Sequence, residues 1–180
     1  MPRVNGARER VPALDRIGVG MGVQELSAAI WHQRNLLELL LFKLTEEQLL
    51  LTAGRTDWLA NATREVEQVL GRLYESGLAR DVEAAGVASE WGAADGSSLR
   101  ELIQRAPSPW DEVLAEHLSA LTALTTRIRD VRDANAQFLH TGLRAAQETL
   151  AGLDGAAGTY DSHGASRTEL VGARLVDKRL

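Results

Sequence analysis

Four histidines are the side chains of this sequence best suited to binding a metal ion. They are His32, His117, His140 and His163. A di-iron site in a helical bundle requires a glutamate three residues before a histidine, so that both lie on one helix face. The residues at that position are Ala29, Leu114, Gln137 and Tyr160. A His-Glu-x-x-His motif and cysteine are also missing, so we predict neither a metal site nor a cofactor.

Other groups with catalytic potential also lack the context that their chemistry needs. Gly18, Gly20 and Gly22 precede a helical segment, whereas a dinucleotide fingerprint follows a strand. The acid pairs Glu46-Glu47 and Asp111-Glu112 are typical of a solvated helix surface. No P-loop or nucleophile elbow occurs. We therefore predict that the protein is not an enzyme. The alternative is a metal-dependent hydrolase or transferase built on a helical bundle, and elemental analysis that finds no stoichiometric metal would exclude it.

The composition favours helices and a location away from nucleic acid and membranes. Aromatic residues make up only 4% of the chain, while leucine and alanine, both strong helix formers, dominate. A net charge of −5 gives no electrostatic attraction to phosphate backbones or anionic lipid. The most apolar run, residues 36–44, is about half the length that a bilayer requires. We expect a cytoplasmic protein without membrane insertion.

Hydrophobic periodicity divides the chain into a helical domain and two flanking segments. The predicted fold is all-α: an elongated antiparallel hairpin or coiled-coil bundle of two to three long helices plus a short one. Met21 directly precedes the first periodic segment and is a candidate start. The predicted parts are a disordered leader at 1–21, a helical domain at 22–153 and a flexible tail at 154–180. The predicted helices span about 23–53, 56–87, 99–106 and 109–153.

Capping signals mark where these helices begin and end. Gly54 is a suitable C-terminal cap, and the short break after it favours an antiparallel hairpin. Ser98 and Glu101 have capping-box spacing, which predicts the start of the short helix. Ser108-Pro109 suits the start of the last helix. The tryptophans at 58, 91 and 110, together with Trp31, are expected to anchor helix ends in the core.

The last predicted helix carries apolar residues at a three-to-four spacing along its whole length, interrupted by Thr125 and Asn135. Such polar positions fix the register of paired helices. At ~1.5 Å per residue this helix outruns its partners by roughly 20 Å, which predicts an exposed apolar seam. An amphipathic helix is the natural ligand of such a seam. The alternatives are that the second helix or a second copy covers it. The predicted binding residues are Phe138, Leu139, Gly142, Leu143, Ala146, Leu150 and Leu153.

Two stretches resemble a known family. They are LSAAIWHQRNLLELLLFKLTEEQLLLTAGRTDWLANATREVEQVL at residues 26–70 and LRAAQETLAGLDGAAGTYDSHG at residues 143–164. Both are similar to the FlgN family of flagellar export chaperones, particularly forms from high-GC Gram-positive bacteria. The terminal RLVDKRL is similar to the same group. With it, the resemblance covers most of residues 21–180.

The resemblance implies partners and a second site. FlgN-type chaperones bind the C-terminal helices of hook-associated (hook–filament junction) proteins, prevent their premature assembly and deliver them to the export gate. A tyrosine after the last helix docks on the export-gate membrane protein, and Tyr160 matches that position. Gly164 keeps the closing glycine of the motif, whereas Asp161 stands where glycine is commoner. The export ATPase complex is a further candidate partner, and the chain is expected to be a monomer or a homodimer.

A different binding class remains as the alternative to this interpretation. The same helices would suit a generic coiled-coil scaffold or oligomerisation protein unrelated to flagella. A stable complex with the C-terminal fragment of a junction protein distinguishes the two, because only the chaperone is expected to form one.

Overall fold

A computed structural model describes residues 14–157 and the side chains of residues 22–153. Within this range the chain forms helices and no strand, which confirms the predicted all-α fold. The helices are α1 (Leu14–Thr52), α2 (Thr56–Glu90), α3 (Leu99–Ile103) and α4 (Trp110–Ala157).

Helices α1 and α2 form the predicted antiparallel hairpin. The turn between them contains Gly54 at φ +66°, a left-handed conformation that glycine adopts without steric cost. Close to the turn, Lys43 Nζ lies 2.7 Å from Glu65 Oε2. Farther along, Arg80 Nη1 donates to Gln33 Oε1 at 2.9 Å. From residue 43 back to residue 33 of α1, the contacted residue of α2 changes from 65 to 80. The two helices therefore run in opposite directions.

Helix α4 runs parallel to α1 over the part that packs against it. Ser27 Oγ and His117 Nε2 are 3.0 Å apart, and Asn135 Nδ2 donates to the Leu44 carbonyl at 2.9 Å. The residue of α4 follows its α1 partner by 90 positions in the first bond and by 91 in the second, as expected for two helices that run in the same direction. Helix α1 therefore contacts both other long helices.

One hydrophobic cluster joins all four helices at the end away from the α1–α2 turn. Leu102 of α3 is completely buried in it. Its helix is fixed by the predicted capping box, in which the Ser98 amide donates to Glu101 Oε2 at 2.7 Å. The Ser98 amide and hydroxyl together hold the pKa of the Glu101 carboxyl below its usual value. The buried members are Val23, Leu26, Ile30, Val87, Ala88, Leu102 and Leu114.

A second cluster lies nearer the turn and is bounded by a buried polar network. Its buried residues are Leu40, Leu44, Val66 and Val69, with Ile128 and Val131 of α4 packed against them. Beside it, Glu47 accepts hydrogen bonds from Thr63 Oγ1 at 2.8 Å and Asn135 Nδ2 at 3.1 Å. This network links α1, α2 and α4. Thr125, the other predicted polar position, is exposed and bonds the Leu121 carbonyl of its own helix.

The long helices extend into segments that the sequence predicted to lack structure. Residues 14–21, assigned to the disordered leader, belong to α1, and residues 154–157, assigned to the tail, belong to α4. Both stretches contain glycine, which favours coil. Extending an existing helix nevertheless costs much less than nucleating a new one. The rest of the predicted leader and tail lies outside the described residues.

Two internal boundaries differ from the prediction by three residues. Helix α2 passes the expected end near Val87 and continues to Glu90. Val87 and Ala88 are buried in the first cluster, and this burial outweighs the cost of about 1 kcal/mol for Gly86 in a helix. Helix α3 ends at Ile103 instead of 106, because the next residues form tighter turns before a proline.

The tryptophans divide into two groups. Trp91 and Trp110 are partly buried against the first cluster, as predicted. Trp31 and Trp58 are about half exposed, so the prediction that they anchor helix ends in the core was wrong. Trp31 lies edge-on to the His117 ring, with a centroid separation of 5.4 Å. The Arg34 guanidinium covers the Trp31 ring at 4.3 Å from its centroid.

The chain divides into two units between Phe138 and Leu139, although a single domain was predicted over 22–153. The described part of the first unit contains α1, α2, α3 and the beginning of α4. The described part of the second unit is the remainder of α4. None of the described helices combines the length and the hydropathy needed to cross a membrane.

Candidate functional site

Six of the seven predicted binding residues form an exposed apolar stripe on the second unit. Leu139, Leu143, Leu150 and Leu153 are between 45% and 63% exposed. Their spacing of three, four or seven residues places them on one face of the helix. Phe138, the last residue of the first unit, is also about half exposed.

Small residues separate the leucines of this stripe. Gly142 and Ala146 are both exposed, and a Cβ added to Gly142 would meet no atom within 4 Å. The backbone of α4 is therefore accessible to a neighbouring helix at this point. Small side chains of this kind allow two helix axes to approach closely.

The opposite face of the same segment is polar. Arg144 and Glu148 lie one helical turn apart, with Nε and Oε1 separated by 3.6 Å. Such an exposed pair contributes little to stability, because water screens it. It does keep one face hydrated while the leucines occupy the other, so residues 139–153 form an amphipathic helix.

The stripe has the properties of a binding surface for another helix. Every described side chain from Ala136 to Leu153 is exposed. Completing the burial of a half-exposed leucine contributes about 1 kcal/mol, and four such leucines together contribute a few kcal/mol before the cost of association. A partner that presents an apolar helix face would supply that burial.

A family model described as FlgN protein matches residues 21–168 of the chain. The chain belongs to the FlgN family. The resemblance drawn from the sequence is thereby confirmed, and membership makes this chain a flagellar export chaperone. The match includes the whole stripe of this FlgN-family chain. No curated protein and no solved structure matches it.

The second predicted site cannot be placed in the structure. Tyr160 and Gly164 fall within the FlgN match but lie outside the described residues. Their role in export-gate docking stays a prediction.

The arrangement closest to catalytic chemistry surrounds His117. This histidine is buried, and its Nε2 pairs with Ser27 Oγ. Burial lowers the pKa of the imidazole, and the nearby Arg34 guanidinium lowers it further. Nδ1 has no hydrogen-bond partner among the described residues, so the carboxylate that orients a catalytic histidine has no counterpart within that range. The pair joins α1 to α4, and sequence reasoning missed it because 90 residues separate its members.

The other described histidines do not form a metal site. His32 and His140 are exposed, and His163 lies outside the described residues. Over the range that the structure covers, no group of three or more histidine, aspartate or glutamate side chains is placed to hold a metal ion.

An exposed apolar row on α2 was not recognised as such from the sequence. Leu70, Tyr74, Leu78 and Val82 follow one another at intervals of four residues, and Tyr74 is 71% exposed. The four-residue interval could have indicated this exposure. A helix has 3.6 residues per turn, so side chains repeated every four residues rotate progressively away from a core face.

Proposed function

We propose that the chain is a cytoplasmic chaperone of type III flagellar export whose clients are hook-associated proteins. It binds the C-terminal helices of these junction proteins, prevents their premature assembly and delivers them to the export gate. The single observation that carries this proposal is the exposure of the leucine stripe on residues 139–153.

The chemistry of the client matches the surface. Helices that assemble into a filament bury an apolar face against each other, so each unassembled helix exposes such a face. Bound to the stripe, that face and the four leucines remove each other from water. The same contact blocks assembly, because the client face is occupied.

Two charges placed in the stripe test the client site. Leu143→Asp combined with Leu150→Asp puts two carboxylates where the client face would lie. We expect binding of a hook-associated C-terminal fragment to weaken about 100-fold or more, because each buried carboxylate would lack a partner. Isothermal titration calorimetry measures the affinity, and circular dichroism checks that the helices persist.

A matched variant adds the same charge to the polar side of α4. Gln137→Asp with Thr141→Asp should bind the fragment nearly as well as the unmodified chain. Equal loss in both variants would show a general charge effect. Undiminished binding by the Leu143/Leu150 variant would place the client site elsewhere. Failure of the unmodified chain to bind the fragment at micromolar concentrations would favour the scaffold alternative.

We assign export-gate docking to Tyr160 and Gly164, with the export ATPase complex as a further contact. The support is the similarity of residues 158–164 to the tail motif of the family. Tyr160→Ala should keep client binding but reduce export and motility. Tyr74→Ala, which removes the other tyrosine of the chain, is the control. Full motility of the Tyr160→Ala strain would contradict the assignment.

A further inference from the structure

A second groove lies between α3 and α4 of the first unit, and it shares no residue with the stripe. Its volume is about 770 Å³. Ile103 of α3 and Leu118 of α4 form its apolar walls, and both are only partly covered by the rest of the chain. Ala115, Ser119 and Ala123 lie along the same face of α4 and keep the groove open.

The charge of this groove is opposite to that of the whole protein. Two of its lining residues are charged, Arg100 from α3 and Arg127 from α4, and both are positive. The chain as a whole carries a net charge of −5. Neither arginine forms an ion pair with another described residue. An occupant with carboxylates would therefore find a cation on each wall.

The segments at the two ends of the chain are not acidic. Residues 1–13 carry three arginines against one glutamate, and residues 158–180 carry four basic residues against three acidic ones. Residues 1–13 are net positive, and residues 158–180 have a side-chain charge of only +1, so neither segment supplies the excess of carboxylates that the two arginines would attract. A separate acidic partner fits better than either end.

The form of the occupant follows from the walls. Both walls are helices whose backbone groups bond internally, so within the described structure the groove offers no strand edge to extend. A helix, in contrast, can insert a ridge of side chains between two other helices. We infer that the groove between α3 and α4 is a docking site for an amphipathic helix of another protein, with acidic residues flanking its apolar face.

Two synthetic helical peptides, roughly 18 residues or about five turns long, provide the probes. They share one leucine–alanine face and carry either glutamate or lysine at the flanking positions. We expect the glutamate peptide to bind in a fluorescence anisotropy titration, and the lysine peptide to bind at least about tenfold more weakly. Added salt should weaken binding of the glutamate peptide, because salt screens flanking contacts that are exposed to solvent.

Charge reversal in the chain locates the binding. Arg100→Glu with Arg127→Glu should weaken binding of the glutamate peptide about tenfold and strengthen binding of the lysine peptide. Arg64→Glu with Arg72→Glu makes the same charge change on α2 and should leave both affinities within about twofold. Ser119→Trp fills the groove without changing its charge and should block the glutamate peptide, with helix content checked by circular dichroism.

Several results would overturn the proposal. One is equal binding of the two peptides, another is binding that groove reversal leaves unchanged, and a third is no binding of either. A change of oligomeric state in the Arg100/Arg127 variant would mean that a second copy occupies the groove. The client-binding test uses different residues, so the two proposals can fail independently.

Discussion

His117 is the residue whose chemistry most directly couples to stability. It is 3% exposed, and its ring contacts the face of α1 that carries Ser27 and Trp31. Burial, together with Arg34, holds the imidazole pKa below its ordinary value of about 6.5. As the pH falls through that value, the unfolded chain takes up a proton that the folded chain resists. Stability contributed by the neutral ring is therefore present at neutral pH and is lost toward acid.

Substitution of His117 should reduce this pH dependence of stability. Between pH 7.5 and 5.5, the free energy of unfolding should fall less in His117→Gln than in the unmodified chain, by up to about 1 kcal/mol. Urea titrations at each pH give the slopes. His32→Gln, which alters an exposed histidine, should keep the original slope. Identical slopes in the unmodified chain and both variants would show that another group causes any acid lability.

Asn135 is the second residue with a defined structural role. Its amide nitrogen donates to both the Leu44 carbonyl and Glu47, and Glu47 also accepts a bond from Thr63. Asn135→Ala should lower the free energy of unfolding by about 1–3 kcal/mol, because buried acceptors would lose their donor. Gln137→Ala, an exposed change two residues away, should cost under about 0.5 kcal/mol. Similar losses in the two variants would argue against the network.

The sequence predicts one member of this network but not the others. Asn135 interrupts the apolar spacing of α4, which marks it as a buried polar position. Glu47 stands in an acidic pair that is typical of a solvated surface, and only its packing against α2 and α4 buries it. Likewise, the position of Trp31 follows from the α1–α4 contact, which periodicity within a single helix does not reveal.

At the scale of elements, long stripes are predictable and helix ends are less so. Hydrophobic periodicity predicts two to three long helices and a short one, and the described residues form three long helices and a short one. The predicted end of α2 was wrong, because a tertiary contact of Val87 decides it. The exposed seam of α4 was a prediction from relative helix lengths, and its use as a client site still awaits the binding experiment.

Helix α3 is too short to be stable alone, so its position depends on one buried side chain. Leu102 is fully buried in the cluster that joins all four helices. Leu102→Ala should lower the free energy of unfolding by about 2–5 kcal/mol. The same substitution at exposed Leu150 should cost under about 0.5 kcal/mol. Chemical denaturation compares the two, and equal losses would mean that α3 does not close the core.

At the scale of the whole molecule, the hydrophobic core and the proposed client site belong to different units. Every residue of the two hydrophobic clusters belongs to the first unit, and the described side chains of the second unit are all exposed. Removing residues 139–180 should therefore leave the urea midpoint nearly unchanged. Circular dichroism should lose only the helical signal of the deleted part of α4. Binding of the hook-associated fragment should disappear, since the stripe is gone.

Each half of this prediction can fail separately, and each failure has a distinct meaning. A large drop in the urea midpoint would show that the second unit stabilises the first, and the leucine stripe would then need a structural explanation. Retained client binding with an unchanged midpoint would move the client site to the first unit. The exposed α2 row around Tyr74 would then be the next surface to mutate, because it is the other long apolar face that the described helices leave open to solvent.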